Sequence, residues 1–234
     1  ASGQFLDLSS MSLDDMVYNE KTLRDMKAHM WTIIKHGELC SSVKIGHGRK
    51  VLLSGPFGSG KSVAALITGQ IGLQHGYTFC YLNPTDRRQQ GALQQMIAFA
   101  QRYQPSILFI EDWDREQRES NPFDHGAIIT EIDGIKSKSS RVIVVMTTNH
   151  SDKISGAAIR PGRIDKEIKF DVFTSTDMER LLRKVIPADW LDPITDWKKV
   201  TDACQSFSAV FVAEVGKASM LLALSERVGV SDSL

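Results

Sequence analysis

The stretch that decides the fold is KVLLSGPFGSGKSVAALITG, Lys50 to Gly69. It opens with a short apolar run, KVLLS at 50–54, that reads as a strand. It then turns through Gly55, Gly58 and Gly60 and continues as SVAALITGQIGLQ at 62–74, which reads as a helix. Gly55, Gly60, Lys61 and Ser62 match the spacing G-x-x-x-x-G-K-[ST]. That spacing has a physical purpose. The glycines let successive backbone N–H groups curl around a phosphate, and the following helix points its positive dipole end at that anion. Lys61 reaches the outer phosphates and the Ser62 hydroxyl holds Mg²⁺. The plain alternative is a glycine-rich turn that happens to precede Lys-Ser. The strand before it and the helix after it are the context the motif requires. The candidate nucleotide-binding residues of the loop are Pro56, Phe57, Gly58, Ser59, Gly60, Lys61, Ser62 and Val63.

Such a loop needs a second strand whose end supplies carboxylates to the metal and the attacking water. ILFIEDWD, at 107–114, is the candidate: four apolar residues run directly into Glu111 and Asp112. An ordinary strand followed by a solvated acidic turn is the bland alternative, and the glycine loop about fifty residues upstream counts against it.

Around these two strands the chain alternates. YTFCYL (77–82), RVIVVMTT (141–148) and EIKFDV (167–172) read as further strands; NEKTLRDMKAHMWTIIKH (19–36), ALQQMIAFAQRY (92–103) and GAIITEIDGI (126–135) read as helices. Asn19 is a candidate N-cap and Gly37 a helix stop. The strands at 107–110 and 141–148 are too continuously apolar for a sheet with one wet face. The alternation predicts a parallel sheet covered on both faces, an α/β three-layer sandwich. Near residue 173 the character changes. TSTDMERLLRKVI opens with a capping-box pattern, Thr176 and Glu179, and helices continue from there. The expected organisation is a nucleotide-binding α/β domain over 1–172 and a small all-α lid domain over 173–234, with the nucleotide between them.

Composition excludes several function classes. The 234 residues include 28 Lys+Arg against 28 Asp+Glu, so no chain-wide field calls for nucleic acid or an anionic membrane. No apolar run approaches the roughly 20 residues of a membrane span, and the first residues lack a secretory pattern. Cys40, Cys80 and Cys204 are scattered and read as thiols of a reducing compartment, with a cytoplasmic location expected. His75, His125 and His150 have no metal spacing, leaving Mg²⁺ as the one metal expected. Trp31, Trp190 and Trp197 read as core, and Met220, Leu221, Leu222 and Leu224 as packing within the lid.

Taken together, these stretches resemble the AAA ATPases, ring-forming remodelling machines driven by Mg-ATP, from about residue 12 to residue 230. SLDDMVYNEKTLRDM resembles the family segment that lines the adenine pocket, here around Val17 and Tyr18. KVLLSGPFGSGKS resembles its Walker A, with Phe57 where a second proline is usual, and PSILFIEDWD its Walker B. RVIVVMTTN leads to a sensor-1 position at Asn149, where a strand-end amide can bond the attacking water or the γ-phosphate. AAIRPGRIDKEIKF carries Arg160 and Arg163, in the family arginine fingers that reach the neighbouring subunit's ATP. FSAVFVAEVGKAS resembles the lid helix, without an arginine at the usual sensor-2 site. MTTNHSDKISGAAIRPGRID, over that segment only, is similar to the branch that assembles the mitochondrial Rieske protein.

The resemblance implies a P-loop NTPase fold, ATP or ADP with Mg²⁺ as cofactors, ATP hydrolysis, and a homo-oligomeric ring, expected to be a hexamer. It implies Glu111, Asp112, Asn149, Arg160 and Arg163 as catalytic residues, with Ser62 and Glu111 on the metal. A guanidinium at the transferring phosphate is worth about 10³–10⁵ in rate in related chemistry. In the family the Walker B acids come as aspartate then glutamate; here the order is reversed. A register slip would turn each side chain to the opposite face and is disfavoured. Glu111 is then one methylene too long, and Asp112 one too short, retracting the base by about 1.5 Å. Misplacing a water-positioning group by about 1 Å can cost on the order of 10²-fold in rate. Normal Mg-ATP binding with slow hydrolysis is expected, unless backbone shifts or Asp114 compensate. YLNPTDRRQQG, at 81–91, lacks the aromatic pore loop of threading members and carries Arg87 and Arg88, which read as a solvated pair. The target of the ring is an unidentified protein, its recognition domains expected outside this chain. Two alternatives stand: an ATP-gated assembly module with vestigial hydrolysis, and a nucleic-acid motor using Arg87 and Arg88, against which the zero net charge counts.

Overall fold

The computed structural model describes residues 7, 8, 16–83, 91–112, 132, 135, 140–150, 163–191 and 196–231. These fall into two compact units. One holds 7, 8, 20–55 and the described part of 61–170; the other holds 16–19, 56–60 and the described part of 171–231.

The first unit is built on five parallel strands: β1 (Arg49–Ser54), β2 (Thr78–Leu82), β3 (Ser106–Ile110), β4 (Val142–Thr148) and β5 (Lys166–Lys169). Their order across the sheet is β2-β3-β4-β1-β5. Every residue of β3 and β4 is buried, as is β1 from Lys50 onward. Consecutive buried residues lie on opposite faces, so both faces of the sheet are covered, and the unbroken apolar runs are the consequence. Ser54 lies opposite Thr148 and Leu82 opposite Ile110, so the carboxyl ends of the strands emerge together. In open parallel sheets that edge is where ligands bind.

Helices flank the sheet. α1 (Glu20–Met26) continues through a π turn (Lys27–Trp31) into α2 (Thr32–Lys35). Gly37 does not end this region. The break falls at His36, and Gly37 begins α3 (Gly37–Ser42). α4 (Lys61–Gln74) follows the glycine loop, and α5 (Ala92–Arg102) precedes β3. α4 lies close against the strands because Gly69 and Gly72 carry no side chain. A Cβ on Gly72 would sit 2.4 Å from Ile107 Cδ1, and one on Gly69 2.6 Å from the Phe79 ring. Trp31 is buried as expected, its indole N–H donating to Thr68 Oγ1 at 2.9 Å. The helix expected at 126–135 lies outside the described residues except for Ile132 and Ile135, both buried. β5 ends at Lys169, short of the expected 172: Phe170 N still donates to Ser54 O, but Asp171 and Val172 are exposed and group with the second unit.

The second unit contains α6 (Ser175–Val185), a 3-10 turn (Ala188–Trp190), α7 (Trp197–Ala203) and α8 (Ala209–Ser231). The capping box of α6 lies two residues upstream of the expected pair. Thr174 is the extended N-cap, its Oγ1 accepting from Asp177 N, while the Asp177 carboxylate accepts from Thr174 N. The aspartate is long enough to reach back one turn, so Thr176 and Glu179 fall inside the helix. Met178, Leu182, Cys204 and Val212 form the core. Trp190 is half-buried rather than core; Trp197, also half-buried, packs against this core, and Arg183 stacks over it with its guanidinium carbon 4.3 Å from the ring centroid. Leu221, Leu222 and Leu224 are exposed, against the expectation of packing. Gly216 packs beside Val185, the last residue of α6, where a Cβ would sit 3.1 Å from Val185 Cγ1. The three cysteines are buried free thiols, and among the described residues no helix is long and apolar enough to cross a membrane.

Candidate functional site

The candidate residues lie in both units, and each group has its own geometry. In the first unit, β1 ends at Ser54 and Gly55 turns the chain away with φ +152°; a Cβ there would come within 2.3 Å of Phe170 O, so only glycine fits. Lys61, the first residue of α4, is buried and donates from Nζ to Gly55 O at 2.8 Å. Ser62 Oγ donates to Glu111 Oε1 at 2.7 Å. The second Glu111 oxygen accepts a hydrogen bond from the Tyr81 hydroxyl, and Glu111 N donates to Leu82 O at 2.9 Å. Burial first, then the bond to Glu111, push the Tyr81 phenol up to about 12, so it remains a donor near neutrality.

A hydroxyl and a carboxylate meeting at a strand edge form the all-oxygen donor pair of a hard cation. Among the described residues no cluster of three His, Cys, Asp or Glu comes together. Mg²⁺ needs none, since it takes one or two carboxylates and fills its octahedron with water and phosphate oxygens. The residues present therefore fit Mg²⁺ carried by a nucleotide.

The next residue behaves differently. Asp112 has a left-handed backbone, φ +42°, its N–H donating to Thr147 Oγ1 at 2.9 Å. Its side chain accepts a 2.9 Å hydrogen bond from Asn149 Nδ2. β3 and β4 are neighbours in the sheet, which is what brings Asp112 and Asn149 to the same edge. Val63, in the first turn of α4, is half-buried.

In the second unit, Pro56 and Phe57 are exposed while Ser59 is buried. Gly60 adopts φ +89°, and a Cβ there would meet the Tyr18 ring at 3.2 Å. Tyr18 is buried, which raises its phenol pKa, and its O–H donates to Gly60 O at 3.1 Å. Val210 N donates to Gly58 O at 3.3 Å. Pro56 to Ser59, Asp171 to Phe173 and Ser206 to Phe211 line a pocket of about 820 Å³. Val17 and Tyr18 are buried and do not line it.

Arg163 is exposed just before β5. Arg160, Arg87, Arg88 and Asp114 lie outside the described residues. Sequence reasoning missed Tyr81 and Thr147. Tyr81 pairs with Phe109, two residues before Glu111, so phenol and acid share a face of the sheet. That placement was readable only once β2 and β3 were known to be parallel neighbours.

Comparison with known proteins follows the same lines. The profile of the ATPase family associated with various cellular activities (AAA) matches residues 51–172. The chain is 30% identical, over 69% of its length and 20% of the relative's, to the "Probable inactive ATP-dependent zinc metalloprotease FTSHI 4, chloroplastic" of Arabidopsis thaliana. It is 24% identical to the 26S proteasome regulatory subunit 8 homolog of Schizosaccharomyces pombe, over 89% of this chain and 55% of the relative. It is 27% identical to the ATPase family gene 2 protein of Saccharomyces cerevisiae, over 65% of this chain and 21% of the relative. The chain thus spans from about a fifth to just over half of these relatives.

Proposed function

The chain belongs to the AAA family of ATPases, and from that premise we propose that it binds Mg-ATP, hydrolyses it slowly as a subunit of a homo-oligomeric, hexameric ring, and uses the cycle to remodel a protein or protein complex. The observation that carries this reading is the contact of Ser62 Oγ with Glu111 Oε1 directly after the glycine loop. Residues 1–172 serve as the nucleotide-binding domain and 173–234 as the lid.

When bound, Mg-ATP supplies the cleavable phosphoanhydride and a cation that offsets charge on its outer phosphates. The protein supplies positions. The backbone N–H groups of Gly58 to Lys61 cradle phosphate, and Lys61 exchanges its bond to Gly55 O for the outer phosphates. Ser62 and Glu111 would hold the cation. Asp112 orients the water and takes its proton, with Asn149 fixing the carboxylate. Arg160 and Arg163 complete the neighbour's site, as their place in the family pattern implies. Tyr18 holds the loop through Gly60 O, and Val17 and Tyr18 would line the adenine pocket, as their place in the family pattern implies.

Slowness follows from Asp112, whose side chain is a methylene short and already engaged by Asn149. That same feature favours the second reading, an ATP-gated assembly module with vestigial hydrolysis. The Rieske-assembly branch is a narrower reading that rests on residues 146–165. A nucleic-acid motor finds little support in a chain of zero net charge.

The test is steady-state ATP turnover across protein concentration, with Lys61→Ala as the blank. Turnover per subunit that climbs with concentration supports the ring enzyme. Tight ATP binding with turnover at the blank level throughout supports the gated module instead.

A further inference from the structure

We infer that Tyr81 is a positioning residue for the metal-side acid: its hydroxyl holds the Glu111 carboxylate so that the other oxygen faces Ser62. The inference rests on the reading of Ser62 and Glu111 as the Mg²⁺-holding pair. A glutamate carries one more rotatable bond than an aspartate, so its carboxylate samples more orientations unless something fixes it. The backbone of Glu111 is anchored by its N–H on Leu82 O, but that bond leaves the side chain free to turn. Two hydroxyls engage the carboxylate, Ser62 on Oε1 and Tyr81 on Oε2. The Ser62 oxygen is the one whose lone pairs a cation would claim. Tyr81 sits on the far oxygen and keeps its bond.

The phenol is itself held. Tyr81 lies opposite Phe109 in the β2–β3 register and meets that ring edge-on, centroids 5.3 Å apart at 65°. Phe79, two residues earlier in β2, also stacks on Phe109 with centroids 6.5 Å apart, and Phe109 is fully buried. A chain of packed rings thus leads from the core to one carboxylate oxygen. Where the acid is longer by a methylene, Tyr81 supplies the constraint that a shorter side chain would not need.

The experiment uses the full chain and a fluorescent ADP analogue, titrated in EDTA and then across Mg²⁺ concentration. Tyr81→Phe keeps the ring against Phe109 and removes only the hydroxyl. Its affinity in EDTA should equal the parent's, while the Mg²⁺ midpoint rises about tenfold, the lower range for loss of a group that orients a metal ligand. In a Glu111→Asp background the shorter acid no longer reaches the phenol. There Tyr81→Phe should move the midpoint by less than about twofold. A Tyr81→Phe midpoint within about twofold of the parent, or an equal loss of affinity in EDTA, reduces Tyr81 to packing and overturns the inference. A parent with no Mg²⁺-dependent tightening removes the reading of Ser62 and Glu111, and this inference with it. The two failures are told apart by the parent's own response.

Discussion

Asn149 Nδ2 donates to Asp112 Oδ1 across 2.9 Å, so the second acid and the strand-end asparagine form one hydrogen-bonded unit. The backbone at Asp112 is left-handed, φ +42°, with its N–H held by Thr147. Aspartate tolerates that conformation better than most residues because its short polar side chain bonds locally. Side-chain length and backbone conformation are therefore coupled at this position.

That coupling sets the outcome of Asp112→Glu. The longer acid recovers reach, worth up to about 10²-fold where a 1 Å misplacement is repaired. It also brings a longer side chain into the left-handed region, costing about 1–2 kcal/mol at most. That cost falls on folding, whereas the recovered reach acts on the chemical step. Steady-state turnover should rise about tenfold or more while the melting temperature falls. Asp112→Asn should drop turnover to the Lys61→Ala level with nucleotide affinity retained. A glutamate variant no faster than the parent places the base elsewhere.

A shared site makes a different demand. Lys61→Ala lacks its own phosphate grip but still presents Arg163, whereas Arg163→Ala has the reverse defect. Each variant alone should be nearly inactive. Mixed one to one in a ring of head-to-tail interfaces, roughly a quarter of the interfaces pair an intact loop with an intact arginine. Turnover should recover to about that fraction of the parent's. No recovery on mixing, with both variants folded and oligomeric, would mean that Arg163 does not act across an interface.

Much of the fold was readable from residues alone, for physical reasons. ILFI and RVIVVMTT are continuous apolar runs because β3 and β4 are covered on both faces, and both segments are strands as expected. The glycine loop carried its own context. What stayed hidden depended on long-range register or on local choices between near-equal options. Tyr81 looks like any strand aromatic until β2 is paired with β3. TSTD offers more than one threonine to cap α6, and the extended backbone at Thr174 decides between them. The exposure of Leu221 and Leu222 depends on what α8 packs against, which their own segment does not encode.

Packing of α4 yields a stability prediction that separates two glycines. Alanine gains up to about 1 kcal/mol in helix propensity over glycine at either site. At Gly72 the new Cβ meets the terminal methyl of Ile107, fully buried in β3, at 2.4 Å, so that side chain must repack inside a filled core and overpacking costs about 1–3 kcal/mol. At Gly69 the obstacle is the Phe79 ring at 2.6 Å, which stacks on Phe109 but is only half-buried and so has room to give that Ile107 lacks. Urea unfolding should show Gly72→Ala destabilised by about 1–2 kcal/mol net, and Gly69→Ala by less. The opposite order would mean that Ile107 yields more easily than the ring.

Cys80 connects burial to alkaline pH. It lies in β2, and burial pushes its thiol from 9.0 up to about 11. The folded-state value is the raised one, so the thiol's contribution to folding is complete below 9.0 and is lost as pH climbs from there towards about 11. Reactivity follows the same shift, because the thiolate is the nucleophile. At pH 8 ionisation alone should slow alkylation of native Cys80 about 100-fold relative to an ordinary thiol. Its rate should keep rising about tenfold per pH unit beyond pH 9, where an ordinary thiol levels off. Peptide mapping after timed iodoacetamide exposure, with circular dichroism to exclude unfolding, reads both. A rate that has levelled by pH 9 would show that the β2 thiol is reached by water and ionises as an exposed one does.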